Sequence, residues 1–309
     1  MKVHYGLDKP TDISCSVVTT GTFDGVHIGH QVIIGRINEL AKEVGGESVL
    51  ITFHPHPRKV LYPDTVGKEI KMINTQREKI TMLATTGLDH LVIMPFTKEF
   101  AKTTSEEFIR KILVEKLNVR KSVVGFNHYF GFQKQGNYDQ LFELGKELGF
   151  DVEEIPEQDI QNETVSSTKI RKAIEEGNIQ RANAYLNHIL IMMGSPKPLH
   201  NDLPSFIDPS AIVVEAEEAE KLLPPEGMYA VRIKIDNHDV RGVAIRNYEI
   251  CHERQMIIVP VDGETIPPGN PDTQIHFYKQ LMRGNGNGGG AAIEANIKTV
   301  IEQAEELIY

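Results

Sequence analysis

The chain has very little cysteine. Cys15 and Cys251 are its only two in 309 residues, too few and too far apart for a disulfide framework, so a reducing cytoplasm is the expected compartment. No leader is expected either, because Met1 to Pro10 has no apolar core region of a secretory signal, and no run approaches membrane-spanning length. Positive charge is in deficit, with 33 Lys and Arg against 43 Asp and Glu and a net charge of −10. That balance argues against general binding to nucleic acid, whose affinity comes largely from neutralised phosphates. Closely spaced cysteine pairs, the usual mark of a structural zinc site, are missing too. Any polyphosphate ligand must therefore be held by local basic groups. What is present, 40% hydrophobic and 25% charged residues, describes a globular chain with room for two domains.

The organising stretch is Thr20-Gly21-Thr22-Phe23-Asp24-Gly25-Val26-His27-Ile28-Gly29-His30. The β-branched run Val17 to Thr20 leads into it. A helical pattern at Val32, Ile33, Ile37, Leu40, Ala41 and Val44 leaves it. This is a strand, a glycine-rich crossing and the first turn of a helix. Such a crossing points backbone N–H groups and a positive helix end beyond the strand's carboxyl end, usually at a phosphate. His27 and His30, three apart, fall on one side of that turn. Gly29 between them leaves room for a ligand to approach the backbone.

Further stations follow in order. Ser48 to Phe53 reads as a buried strand ending in His54-Pro55-His56-Pro57, a fixed loop in which His56 can donate to a phosphate. A helix is expected from about Thr75 to Thr86, then a strand at Leu91 to Phe96, then a capped helix from Thr104 through Leu117. Ser122 to Gly125 is the next strand, and Phe126 to Phe132 its exit loop, with four aromatics suited to stacking on a planar ring and with Asn127. Helix 139–149 and strand 152–155 complete the alternation. Val165-Ser166-Ser167-Thr168-Lys169-Ile170-Arg171-Lys172 supplies the positive cluster. There Ser167 or Thr168 is placed to cap a helix, and a bidentate Arg171 completes a pyrophosphate clamp. Strands alternating with helices in this way predict an α/β fold, a doubly wound parallel sheet with right-handed crossovers.

GTFDGVHIGH at 21–30, TFHPHP at 52–57, GFNHYFG at 125–131 and SSTKIR at 166–171 together resemble the adenylyltransferase half of the bacterial bifunctional riboflavin kinase/FAD synthetase family. HIGH alone also occurs in class I aminoacyl-tRNA synthetases, but their lysine-rich second motif is absent. The resemblance implies the reaction FMN + ATP → FAD + pyrophosphate, with Mg²⁺ arriving on the triphosphate. It implies that His27 and His30 stabilise the α-phosphate and contact the triphosphate. Gly21, Phe23, Asp24 and Gly29 would build the ATP pocket, and His56 and Asn127 would bind phosphate and Mg²⁺-linked groups. Ser167, Thr168 and Arg171 would hold the β- and γ-phosphates. The imidazoles and the clamp would thus serve one triphosphate. No residue is expected to be a protein-bound metal ligand. Lys134 stands where the family often has Arg, and Asn127 where it often has Asp.

Residues 1–186 are expected to form the adenylyltransferase domain. Residues 187–309 are expected to form a small antiparallel β-barrel with a C-terminal helix over Ala291 to Leu307, resembling the family's riboflavin kinase fold. Gly194 to Pro204 reads as the boundary; Met228 to Ile235, Gln255 to Val261 and His276 to Arg283 read as barrel strands. Between Leu186 and Tyr229 neither the glycine-rich phosphate loop nor the Pro-Thr-Ala-Asn turn is found. Gly194-Ser195-Pro196-Lys197 is the nearest approach, and Glu253 is the candidate for the kinase glutamate. Gly284 to Gly290 is expected to be mobile. The expected kinase fold is therefore without kinase chemistry. The alternatives are a fully bifunctional enzyme, a non-catalytic flavin-nucleotide-binding regulator, and a nucleotidyltransferase acting on another phosphate acceptor such as a pantetheine or glycerol phosphate.

Overall fold

The computed structural model describes residues 1–7, 13–126, 129–157, 159–160, 163–199, 207, 210–236, 238–248, 250–261, 265–266, 273–284 and 299–300. Asn127, the segment 285–290 and all but 299–300 of the expected C-terminal helix lie outside these residues. The chain divides into two compact units, Met1–Ile70 with Lys79–Val165, and Lys71–Glu78 with Ser166–Tyr309.

The first unit runs β1 (Lys2–Tyr5), β2 (Ser16–Thr20), α1 (Ile28–Val44), β3 (Glu47–His54), α2 (Pro57–Leu61), α3 (Val66–Glu69), α4 (Gln76–Leu83, begun in the other unit), β4 (His90–Pro95), α5 (Ser105–Glu107), β5 (Val119–Gly125), α6 (Tyr138–Leu148), β6 (Asp151–Ile155), β7 (Asp159–Ile160) and β8 (Glu163–Thr164). Six strands form one sheet in the order β1-β4-β3-β2-β5-β6, every neighbouring pair parallel. The strands' period of two divides their side chains between two cores. Val17, Leu50, Leu91 and Val123 pack with Ile34, Ile37 and Leu40 of α1. Val18, Val49, Val92 and Val124 pack on the other face with Phe108, Ile109 and Leu113. A sheet covered on both faces has no alternation of polar and apolar positions, hence the continuous apolar runs in the sequence. The expected helix through Leu117 is α5 followed by a π-helical stretch over Phe108–Val114. From β2 the chain winds to β3 and β4, then returns to β5 on β2's other side. The carboxyl end of β2 is thus the topological switch point, where open α/β sheets bind ligands.

The second unit contains α7 (Ser167–Glu175), α8 (Ile179–Leu186), β9 (Leu190–Pro198), β10 (Ile212–Ala216), β11 (Gly227–Ile235), β12 (His238–Arg246), β13 (Gln255–Pro260) and β14 (Thr273–Arg283). The six strands close into a barrel in the order β10-β13-β12-β11-β14-β9, with antiparallel neighbours throughout. Two corrections to the sequence reading belong here. Gly194–Pro198 is no linker but the second half of β9, paired with β10 from Gly194↔Ala216 to Pro198↔Ile212. And the cap of α7 is Ser166, which accepts the Lys169 N–H at 3.4 Å, so Ser167 is the first helical residue rather than the cap. The segment Lys71–Glu78 joins this unit through the Met72 N–H donating to Glu220 O at 2.7 Å and the Leu222 N–H donating to Met72 O at 2.7 Å.

Candidate functional site

Between β2 and α1 the backbone turns sharply. Phe23, Gly25 and Val26 have φ of 46, 91 and 42°. A left-handed conformation at Phe23 and at the β-branched Val26 costs roughly 1–3 kcal/mol each, so local contacts must hold it. Thr22 O accepts two hydrogen bonds, from Lys79 Nζ at 2.8 Å and from Thr52 Oγ1 at 3.1 Å. Val26 O accepts from Gln31 Nε2 at 2.9 Å. Gly21 lets the turn close, because a Cβ there would meet the Phe23 ring at 3.0 Å.

This turn builds a column of rings. Phe23 lies in the core at 2% exposure, and its ring stacks on His30 with centroids 4.4 Å apart. His30 in turn stacks on His27, centroids 3.6 Å apart and planes at 18°. The expected one-sided placement of the two histidines is thus observed, with His27 at the N-cap of α1 and His30 in its first turn. No side chain caps that helix end. Its first backbone bond runs from the Gln31 N–H to His27 O at 3.0 Å, and the amides before it point out at the positive end of the helix. Burial pushes the His30 imidazole well below the ordinary histidine range, and the neighbouring His27 and Lys79 add to the effect. Its Nδ1 is sealed from solvent with no hydrogen-bond partner. A neutral ring beside an open helix end can serve as a hydrogen-bond donor. Asp24 is buried beneath the turn, and Gly29 is the second residue of α1.

His56 follows β3 and caps α2, its Nδ1 accepting the Arg58 N–H at 3.2 Å. That acceptor role puts the proton of the neutral ring on Nε2, the tautomer that can donate. The Phe126–Phe132 segment splits by environment. Phe126, Tyr129 and Phe132 are exposed, whereas Phe130 turns inward to Phe108 at 6.0 Å, so one of the four aromatics is core filler after all. Gly131 permits this with φ 73°, where a Cβ would lie 2.6 Å from the Ser105 nitrogen.

Ser167, Thr168 and Arg171 lie on α7, in the second unit. Ser167 is half-buried and Thr168 exposed. Arg171 donates from Nε to the carbonyl of Lys71 at 2.8 Å, a backbone contact that fixes where its guanidinium sits. In the same unit a cleft of about 570 Å³ is lined by Lys71, Glu215, Ala219, His252, Glu253, Arg254 and Gln255. Glu253 is exposed there, and Glu215 is engaged by Lys197 at 2.8 Å and Arg254 at 2.7 Å. No group of three or more His, Cys, Asp or Glu able to hold a metal ion occurs among the described residues. No helix among them is long and apolar enough to cross a membrane. Sequence reasoning missed Lys79, a lysine in a helical pattern with no motif signal, and gave no role to Thr52, although it opens the TFHPHP stretch.

Residues 9–169 match the family model described as FAD synthetase. A bifunctional riboflavin kinase/FMN adenylyltransferase of Buchnera aphidicola subsp. Acyrthosiphon pisum is 32% identical over 237 residues, covering 76% of this chain and 73% of the relative. One from Listeria monocytogenes is 31% identical, covering 79% and 75%. A protein named FAD synthetase, also from Listeria monocytogenes, is 36% identical over 187 residues, covering 60% of this chain and 74% of the relative. Among solved structures, one described as a macrolide-efflux protein from Streptococcus pneumoniae superposes with a TM-score of 0.84 over 99% of both chains. At 22% identity it speaks for the shared fold alone.

Proposed function

The chain belongs to the FAD synthetase family, and from that premise we infer that it transfers AMP from ATP to FMN. A phosphate oxygen of FMN attacks the α-phosphorus of ATP. An oxygen–phosphorus bond forms to give FAD as the bond to the β-phosphate breaks, and pyrophosphate leaves with the electron pair. The attacking oxygen is already ionised at neutral pH, so no general base is needed, and catalysis rests on positioning and charge stabilisation. The observation that carries this reading is the Phe23–His30–His27 column on the uncapped end of α1. It supports His27 and His30 as donors to the α-phosphate oxygens.

By the family motif, Gly21, Phe23, Asp24 and Gly29 shape the ATP pocket, with Phe23 acting from beneath as the platform for His30. His56 and Asn127 take phosphate contacts. Ser167, Thr168 and Arg171 take the β- and γ-phosphates, with Ser166 serving as the cap of the helix that carries them. Mg²⁺ enters as the counter-ion of ATP, part of the substrate. Residues 1–186 are assigned to the adenylyltransferase domain and 187–309 to a riboflavin-kinase-like domain without kinase activity. Cytoplasmic location is supported by two free cysteines.

The names of the two-domain relatives favour a second reading, a fully bifunctional enzyme. Against it, Gly194 to Lys197, the stretch nearest to a phosphate loop, is spent on the β9–β10 ladder. The test is incubation with ATP, Mg²⁺ and either FMN or riboflavin. FAD should form from FMN, nothing from riboflavin, and His30→Ala should lower FAD formation about 100-fold or more in a folded protein. FMN appearing from riboflavin would establish the bifunctional reading. A wild-type protein that makes no FAD, or an undiminished His30→Ala, would end the proposal.

A further inference from the structure

We propose that Lys79 is a positioning residue of the nucleotide site, its ammonium fixing the Thr22–Val26 turn in the form that seats Phe23 beneath His30. The inference rests on the adenylyltransferase reading above. Lys79 stands on α4, away from every stretch that carries the family motif, yet only 7% of it is exposed. Burying an ammonium is unfavourable unless its surroundings use the charge. Here Nζ donates to Thr22 O at 2.8 Å, and the hydroxyl of Thr52 reaches the same oxygen at 3.1 Å. Two donors from two different elements thus converge on the carbonyl immediately before Phe23.

That placement has a consequence. Phe23 has φ 46°, a conformation that an L side chain leaves readily unless the flanking peptide is held. Rotation of the Thr22–Phe23 peptide would swing the Phe23 ring away from His30, whose centroid lies 4.4 Å from it. The His30 ring would then lose the surface that keeps it stacked on His27. The ammonium also acts directly on His30. Its field is one of the influences that keep this imidazole neutral, so it adds positive potential for a triphosphate while His30 stays uncharged. Lys79 thereby holds the position of the ring proposed to meet the α-phosphate and adds to the burial that keeps it neutral.

The experiment compares wild type, Lys79→Met and Lys79→Arg. It measures kcat and KM for ATP and FMN, thermal midpoints, and titration of the His30 ring proton by NMR. Lys79→Met is expected to lower kcat/KM for ATP by about 10- to 100-fold, the range for losing a group that supports a functional side chain from behind, with KM for FMN unchanged. Its His30 should titrate at higher pH than in wild type. Lys79→Arg, which keeps the charge and a donor, should recover most of both properties. A lysine that merely holds the fold together would lower the thermal midpoint and leave the His30 titration as in wild type, which would overturn the proposal. So would wild-type kinetics and titration in Lys79→Met. If Lys79→Met does not fold, Lys79→Gln, a neutral donor, answers the same question. If wild-type protein makes no FAD, the adenylyltransferase reading fails, and the His30 titrations still decide whether Lys79 governs the ring.

Discussion

Replacing Lys221 by methionine should destabilise the barrel unit more than almost any other single change in it. The lysine side chain is 1% exposed and Glu78, its partner, 0%. All three ammonium protons are used, on Glu78 Oε2, Ile73 O and Ile191 O, each at 2.6 Å. Glu78 accepts in addition the Met193 N–H at 2.8 Å and the Thr75 N–H at 2.9 Å. Lys221→Met therefore strands a buried carboxylate on two backbone amides and the Asn74 side-chain amide, at 3.5 Å, and takes a donor from two carbonyls. Breaking a buried pair from one side costs about 3–5 kcal/mol. For a unit of about 150 residues, at some 2–4 °C per kcal/mol, the thermal midpoint should fall by roughly 6–20 °C. The double variant Lys221→Met/Glu78→Gln removes the stranded charge and should recover at least about 1 kcal/mol relative to the sum of the single variants. The chain has no tryptophan, so the assay is urea unfolding followed by far-UV circular dichroism and by tyrosine fluorescence, to which the buried Tyr185 and Tyr229 contribute. A Lys221→Met protein within about 1 kcal/mol of wild type would refute the reasoning, since methionine keeps a buried apolar chain and so small a change leaves no cost for the broken pair.

Two further outcomes follow from single residues. The imidazole of His276 is pushed down to about 4, mainly by burial and then by Lys234. A histidine with a folded value below its unfolded one stabilises fully above about pH 6.5, and that stability is lost as pH falls through the folded value, at about 1.4 kcal/mol per pH unit. His276→Gln should therefore show a shallower loss of thermal midpoint between pH 6.5 and 4; an unchanged slope would mean that the ring is not held neutral. Gly131→Ala places a Cβ 2.6 Å from the Ser105 nitrogen at φ 73°. It should lower stability in urea by about 2 kcal/mol or more, and an unchanged midpoint would contradict the close approach.

The parallel sheet was readable because its strands are buried on both faces and so appear as unbroken apolar runs, each followed by a helical period. What escaped the reading had the opposite character. β1 is four residues, Lys2-Val3-His4-Tyr5, at the sheet's edge with no fully buried position, and an edge strand needs no apolar face to form. The cap of α7 was displaced by one residue because Ser166, Ser167 and Thr168 are all good caps. Only the backbone, extended at Ser166 with φ −151° and ψ 153°, selects among them. Within the site, the motif histidines were legible and their support was not. Lys79 is 57 positions from Thr22 and Thr52 is 30, and neither interval has a period that local sequence can reveal.

Gly194-Ser195-Pro196-Lys197 shows how residue chemistry can mislead when read without its neighbours. Glycine, serine and proline in succession have the composition of a turn, yet each sits in register against β10. Gly194 is there because a Cβ would lie 2.2 Å from the carbonyl oxygen of Glu215, so the close approach of two barrel strands, not a bend, demands glycine at that point. The prolines are tolerated because an antiparallel strand uses only alternate N–H groups toward a given neighbour. A phosphate loop works through successive amides left unpaired around an anion, whereas Gly194 to Pro198 gives its backbone to a ladder. The residues that made this stretch look nearest to a kinase loop are thus the ones that let it close the barrel wall.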